Sequence, residues 1–122
     1  MPAYNFKARF ADAVERGDKC QTIRKRRKRP TRPGDTLYLY TGMRTKQCRL
    51  LRTEMCIGIA PIDIYDGRVV FDGSELPRWH AQALAEHDGF DTLADFFKFF
   101  DDTYGLPVVG ELELIEWRPN DD

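Results

Sequence analysis

The chain has 122 residues, of which 42% are hydrophobic and 32% charged, so it is long enough for one ordinary domain whose core forms without a metal or disulfide staple. Residues Met1–Phe10 lack an apolar signal core and no apolar run approaches the length of a membrane span, while Cys20, Cys48 and Cys56 are odd in number and show no C-x-x-C spacing, which argues for reduced thiols in a cytoplasmic setting. The net charge of -1 conceals a split: residues 1–60 carry 15 Lys/Arg and 5 Asp/Glu, residues 61–122 carry 4 and 15, so either the basic half meets a polyanion or the two halves neutralise each other.

Tyr4–Phe6 reads as a short first strand. Phe10, Ala13 and Val14 recur at helical spacing and Gly17 ends that helix. Cys20–Arg24 is expected to be extended, with Thr22 and Arg24 on one face and Gln21 and Ile23 on the other. Residues 25–33 read as an exposed basic loop bracketed by Pro30 and Pro33, and Gly34–Asp35 as a turn. Thr36–Thr41 follows as a strand that alternates Tyr38 and Tyr40 with Leu37 and Leu39. Arg49–Ile59 predicts a long strand and Ile62–Tyr65 a short one; Asp66–Gly67 is a hairpin turn before the returning strand Arg68–Phe71.

Helices are predicted from Pro77 to about Glu86 and from about Thr92 to Thr103, the second with Leu93, Phe96, Phe97 and Phe100 on one stripe and an N-cap at Asp91 or Thr92. Gly110–Trp117 is the final strand, with Leu112, Leu114 and Glu116 on one face, and residues 119–122 read as a frayed acidic tail. Five to seven strands and about three helices without regular alternation make an α+β fold, expected to be a mixed β-barrel with appended helices.

Three blocks carry a family resemblance. Gly17-Asp18-Lys19-Cys20-Gln21-Thr22-Ile23-Arg24 looks like G-x-K-x-x-T-I-R, Pro33-Gly34-Asp35-Thr36-Leu37 contains a G-D turn before a strand, and Ala85-Glu86-His87-Asp88-Gly89-Phe90 holds an acidic-Gly-Phe turn followed by Leu93 and Phe96-Phe97. In this order the blocks resemble the ASCH domain family of the PUA-like superfamily, over nearly the whole chain from Phe6 to Trp117. The resemblance implies a PUA-like barrel with a cleft between barrel and helices, and RNA or a modified nucleoside as partner. One branch of small bacterial ASCH proteins hydrolyses N4-acetylcytidine, without a cofactor, using a Lys, a Thr three residues on and a downstream carboxylate. Those roles fall on Lys19, Thr22 and Asp88, where the branch has Glu instead of Asp.

Amide hydrolysis needs a nucleophile, a base and an acid for the leaving group. Thr22 offers the hydroxyl, Lys19 a base if burial or Arg24 lowers its pKa, and Asp88 an acid if its own is raised. Two geometric demands follow. A strand running through Lys19 and Thr22 would put them on opposite faces, so a bulge near Cys20–Gln21 is expected. Asp88 is expected across the pocket from Lys19 with substrate between them, because a direct ion pair keeps Lys charged. Arg24 suits an anionic or carbonyl group on the ligand.

The six consecutive basic residues Arg24–Arg29, with Arg32, fit phosphate-backbone contact. Lys25, Arg26, Arg27, Lys28, Arg29 and Arg32 are therefore candidate RNA-binding residues, the alternative being a solvated loop that offsets the acidic half. Tyr38, Tyr40 and Trp79 offer stacking faces for bases, although packing in the core is the more ordinary role of such rings. His80 and His87 lack a third ligand at useful spacing, so no metal is expected; His87 beside Asp88 is a secondary acid/base candidate. Three functions remain open: a cofactor-free amidohydrolase of an acylated nucleoside, a non-catalytic RNA-binding module, and a metal-independent ribonuclease.

Overall fold

Strand β1 (Ala3–Phe6) and helix α1 (Ala8–Arg16) open the chain in the computed structural model, which describes residues 2–117. Helix α1 turns Phe10, Ala11 and Val14 inward, one stripe of an amphipathic helix. Gly17, at φ 86°, closes it in the left-handed region, where a Cβ would be strained. There follow β2 (Gln21–Lys25), β3 (Thr36–Thr41), β4 (Arg49–Tyr65), β5 (Arg68–Phe71), β6 (Ser74–Glu75), α2 (Arg78–His87), α3 (Leu93–Tyr104) and β7 (Val108–Trp117). Thr92 caps α3 by accepting from the Asp95 amide at 3.0 Å.

The fold is α+β, with seven strands in one mixed, unclosed sheet and three helices among the described residues. Strand β1 runs parallel to β3 and every other pairing is antiparallel. The path is β1-β3-β4-β5-β6, with β7 beside β4 and β2 beyond β7. Strand β4 joins the three branches of the sheet. Its first part pairs with β3, and its second part lies between β7 and β5. Strands β1 and β2 end two of the branches that leave β4, β6 ending the third, and β1 and β2 share no backbone ladder. Side chains span that seam instead: Arg24 Nη2 donates to the Asn5 carbonyl at 2.6 Å, Arg27 Nη1 to the Ala3 carbonyl at 3.1 Å, and the Tyr4 and Thr31 hydroxyls share a hydrogen bond of 2.6 Å.

Several elements differ from the sequence expectations. Arg49–Tyr65 is one strand of 17 residues, not two; its register against β7 shifts at Cys56/Gly58 and Ile62/Ile64, and Pro61 lies between the two shifts, opposite Glu113, without ending the strand. Strand β7 begins at Val108, two residues early, and buries Leu112, Glu113, Leu114 and Ile115 consecutively while Glu116 is exposed. Over Leu112–Ile115 the strand is hydrogen-bonded on both sides and buried on both faces, so the alternation is lost there. The short β6 is additional. Thr31, expected in an exposed loop, is buried on Tyr4. Phe96 and Phe100 enter the core, whereas Phe97 and Phe99 are half-buried against it. Trp79, stacked on His80, is 73% exposed and no part of the core. The acidic tail at 119–122 lies outside the described residues.

Candidate active site

Lys19 leaves α1 rather than entering β2. The Asp18 and Lys19 amides both donate to the Ala13 carbonyl, at 2.9 and 3.0 Å, wrapping the chain around the Gly17 terminus, and the strand starts only at Gln21. Period-two alternation therefore does not govern Lys19, and no bulge is needed to bring it to the side of Thr22. The Lys19 side chain is buried, its Nζ 5.2 and 5.8 Å from the ring centroids of Phe10 and Phe6.

Asp88 is the C-cap of α2 and is only 4% exposed. Lys19 Nζ donates to its Oδ1 at 3.1 Å and to its backbone carbonyl at 2.6 Å. Asp88 thus does not sit across the pocket as expected but touches Lys19 directly. Gln21 Nε2 donates to the same Oδ1 at 3.2 Å and to the Leu84 carbonyl at 3.4 Å. Burial pushes Lys19 down from its ordinary pKa, with Asp88 opposing, and pushes Asp88 up, with Lys19 and Gln21 opposing. Both shifts run toward the neutral forms of the pair.

The residue after Asp88 must be glycine. Gly89 lies at φ 102°, and a Cβ there would stand 2.9 Å from Phe10 Cδ1. This close approach lets Phe90 meet Phe10 edge to face, 5.4 Å between centroids.

Thr22 and Arg24 share a face of β2, as their spacing predicts. Thr22, 3% exposed, accepts a hydrogen bond from Arg24 Nε at 2.8 Å. The Arg24 guanidinium lies 4.9 Å from the Phe6 ring centroid and 5.7 Å from that of Tyr4. With Nε on Thr22 and Nη2 on Asn5, Arg24 is held from both sides. Burial lowers its pKa, but a guanidinium stays charged.

Lys19, Thr22, Arg24 and Asp88 line one cavity of about 270 Å³ between sheet and helices. Phe6, Phe10, Phe90, Phe99 and Tyr104 form its apolar wall. The volume lies just below the roughly 300–1,000 Å³ of small-molecule sites. Gln21, which holds Asp88, was assigned only to the opposite face of the strand; its partner is 67 positions away, beyond any local spacing.

Other candidates lie elsewhere. Tyr38 and Tyr40 are half-buried on β3 and do not line the cavity; their face of β3 is opposed to that of the buried Leu37 and Leu39. Tyr38 borders a separate hollow with Arg27 and Arg29. The basic run is divided. Lys25 belongs to β2 and lies 3.7 Å from Glu111, Arg26 donates to the Gly110 carbonyl and Arg27 to that of Ala3, whereas Lys28, Arg29 and Arg32 are exposed and their side chains have no hydrogen bond or ion pair with described residues. His80 and His87 are exposed, and no cluster of three or more His, Cys, Asp or Glu among the described residues is arranged to hold a metal. No helix among them is long and apolar enough to cross a membrane. Compared with protein-family models, curated proteins and solved structures, the chain matches none significantly.

Proposed function

We propose that this protein is a cofactor-free amidohydrolase of an acylated nucleoside, built on a PUA-like barrel whose β1/β2 seam is spanned by side chains. The observation that carries the reading is the convergence of Lys19, Thr22, Arg24 and Asp88, from three separate segments, on one small aromatic-walled cavity. The ASCH resemblance selects N4-acetylcytidine as the substrate to test first.

The hydrogen bonds support one allocation of roles. Arg24 Nε occupies a lone pair of Thr22 Oγ1, which leaves the hydroxyl proton free to be donated and favours an alkoxide. Burial pushes both members of the Lys19–Asp88 pair toward their neutral forms; on this proposal the ion pair's proton first passes from Lys19 Nζ to Asp88 across their 3.1 Å contact, and the neutral Lys19 Nζ then takes the Thr22 proton as Thr22 Oγ1 attacks the acyl carbon. Collapse breaks the C–N bond, and Asp88 protonates the leaving amine. The acyl group is then an ester on Thr22. Asp88, now a carboxylate, takes a proton from water as the water oxygen attacks the ester carbon, and the Lys19 ammonium returns its proton to Thr22. Acid and nucleoside leave, the shared proton passes back from Asp88 to Lys19 Nζ, and every group regains its starting state.

The test is incubation with N4-acetylcytidine, with cytidine and acetate followed by chromatography. Thr22→Val keeps the shape of the side chain and removes the hydroxyl; turnover is expected to fall at least about 100-fold, with an unchanged circular dichroism spectrum. A Thr22→Val protein that retains full turnover refutes the nucleophile. A wild type that binds RNA but turns over no acylated nucleoside replaces the enzyme by a binding module.

A further inference from the structure

We infer that the substrate is presented within a single-stranded polyribonucleotide, its modified base in the cavity and its flanking phosphates in a cationic groove along the open edge of β1. The assignment of the cavity rests on the hydrolase reading; the groove has its own geometry. A hollow of about 450 Å³, lined by Asn5, Arg24, Lys25, Arg27 and Arg44, shares Asn5 and Arg24 with the cavity. A third hollow, of about 340 Å³ and lined by Arg27, Arg29 and Tyr38, shares Arg27 with the second. Three hollows thus run in series, each joined to the next by an arginine.

Those two arginines are fixed for this purpose. Arg24 spans the junction, its Nε on Thr22 in the cavity and its Nη2 on the carbonyl of Asn5, which lines both hollows, and Nη1 has no partner among the described residues. Arg27 commits Nη1 to the Ala3 carbonyl and keeps Nη2 and Nε. No carboxylate lines the middle hollow. In the third the one carboxylate is Asp35, which accepts from the Arg32 amide at 2.9 Å.

Arg44 adds a second observation. It holds the left-handed φ of 67°, uncommon for a residue with a Cβ. Its turn is pinned by the Met43 amide on Asn5 Oδ1 at 2.9 Å and the Thr45 amide on the Gly42 carbonyl at 3.0 Å. Its own side chain is exposed, without a partner among the described residues, beside a hollow of one charge sign. A backbone strain maintained to aim a cation is expected at a ligand site.

Anionic groups in series, with a planar group set aside from them, describe a single strand with one base splayed out. Tyr38 offers a ring for a neighbouring base in the third hollow. An acidic peptide would satisfy the charges but would not use the cavity.

The experiment compares free N4-acetylcytidine, its 5′-monophosphate and a pentanucleotide with one central N4-acetylcytidine among uridines. kcat/KM is expected to rise in that order at low salt. With one phosphate in each outer hollow and a slope of about 0.7 per phosphate in single strands, the pentanucleotide's advantage falls roughly 7-fold between 50 and 200 mM salt. Arg29→Ala with Arg44→Ala, one from each hollow, is expected to bring the pentanucleotide-to-nucleoside ratio toward one. Equal kcat/KM for all three substrates, indifferent to salt, overturns the inference and leaves the hydrolase intact. If none is turned over, the hydrolase reading fails, and anisotropy with labelled penta-uridine decides the groove: salt-dependent binding weakened by the double substitution upholds it, and binding that the substitution leaves unchanged overturns it.

Discussion

Replacing Lys19 by Met and Asp88 by Asn, singly and together, tests whether the buried pair sets the electrostatics of the cavity. Lys19→Met leaves the Asp88 carboxyl buried with Gln21 as its remaining side-chain donor, at 3.2 Å. Burial raises the folded pKa of Asp88, so its stability contribution is complete below the ordinary value near 3.9 and is lost as pH rises through the folded value. The cost at pH 7 is capped by protonation, about 4 kcal/mol at about 1.36 kcal/mol per pH unit from that ordinary pKa. Asp88→Asn is the mirror image. Lys19, lowered by burial, contributes stability above its ordinary pKa near 10.4 and loses it as pH falls through the folded value; the cap at pH 7 is about 5 kcal/mol. Both caps agree with the roughly 3–5 kcal/mol for breaking a buried pair. Urea denaturation between pH 5 and 9 should show Lys19→Met recovering toward acid and Asp88→Asn recovering toward alkali. The double variant carries neither charge. It strands the Asp88 carbonyl that Lys19 served at 2.6 Å, for about 1–3 kcal/mol, and its cost should not vary with pH. Parallel pH dependences for the single variants, or a double variant as unstable as their sum, would refute the argument.

Gly89→Ala should destabilise the protein by at least about 1–2 kcal/mol from the left-handed backbone alone, and more because the new methyl meets Phe10; a melting temperature equal to wild type would show that the turn is not as described. For the thiols, a colorimetric disulfide reagent should modify the exposed Cys48 rapidly in the folded protein. Cys20, whose Sγ donates to the Gly17 carbonyl at 3.1 Å, and the buried Cys56 have thiols that burial holds up in pKa and should react slowly until urea exposes all three. Fewer than three thiols after denaturation would contradict free cysteines.

Local signals were legible where a residue's chemistry acts on its own neighbours. Gly17 ending α1, Asp66–Gly67 turning β4 into β5 and Thr92 capping α3 each work within a few residues. The continuity of β4 through Pro61 was not legible, because it depends on β5 and β7 holding the strand from either side. In the site, Thr22 and Arg24 follow from strand alternation. Lys19 does not, since its direction is decided by the helix terminus. Contact between Lys19 and Asp88 depends on where α2 ends against β2, and the anchoring of Arg24 and Arg27 depends on an unpaired β1 edge. Residue types and spacing carry neither relation.

The missing ladder between β1 and β2 connects these features. Backbone pairing there would satisfy the Asn5 and Ala3 carbonyls internally and leave Arg24 and Arg27 without their anchors. With the seam open, those carbonyls are satisfied by guanidinium groups that keep further donors. The sheet thus gives up backbone hydrogen bonds at one edge and gains a row of oriented cations beginning at the cavity mouth. Inside the cavity, a buried Lys–Asp pair is no better for stability than well-packed apolar residues of similar size. On the proposed reading, a protein that places one beside Gly89 and Phe10 accepts that cost at a position where a shared proton is chemically useful.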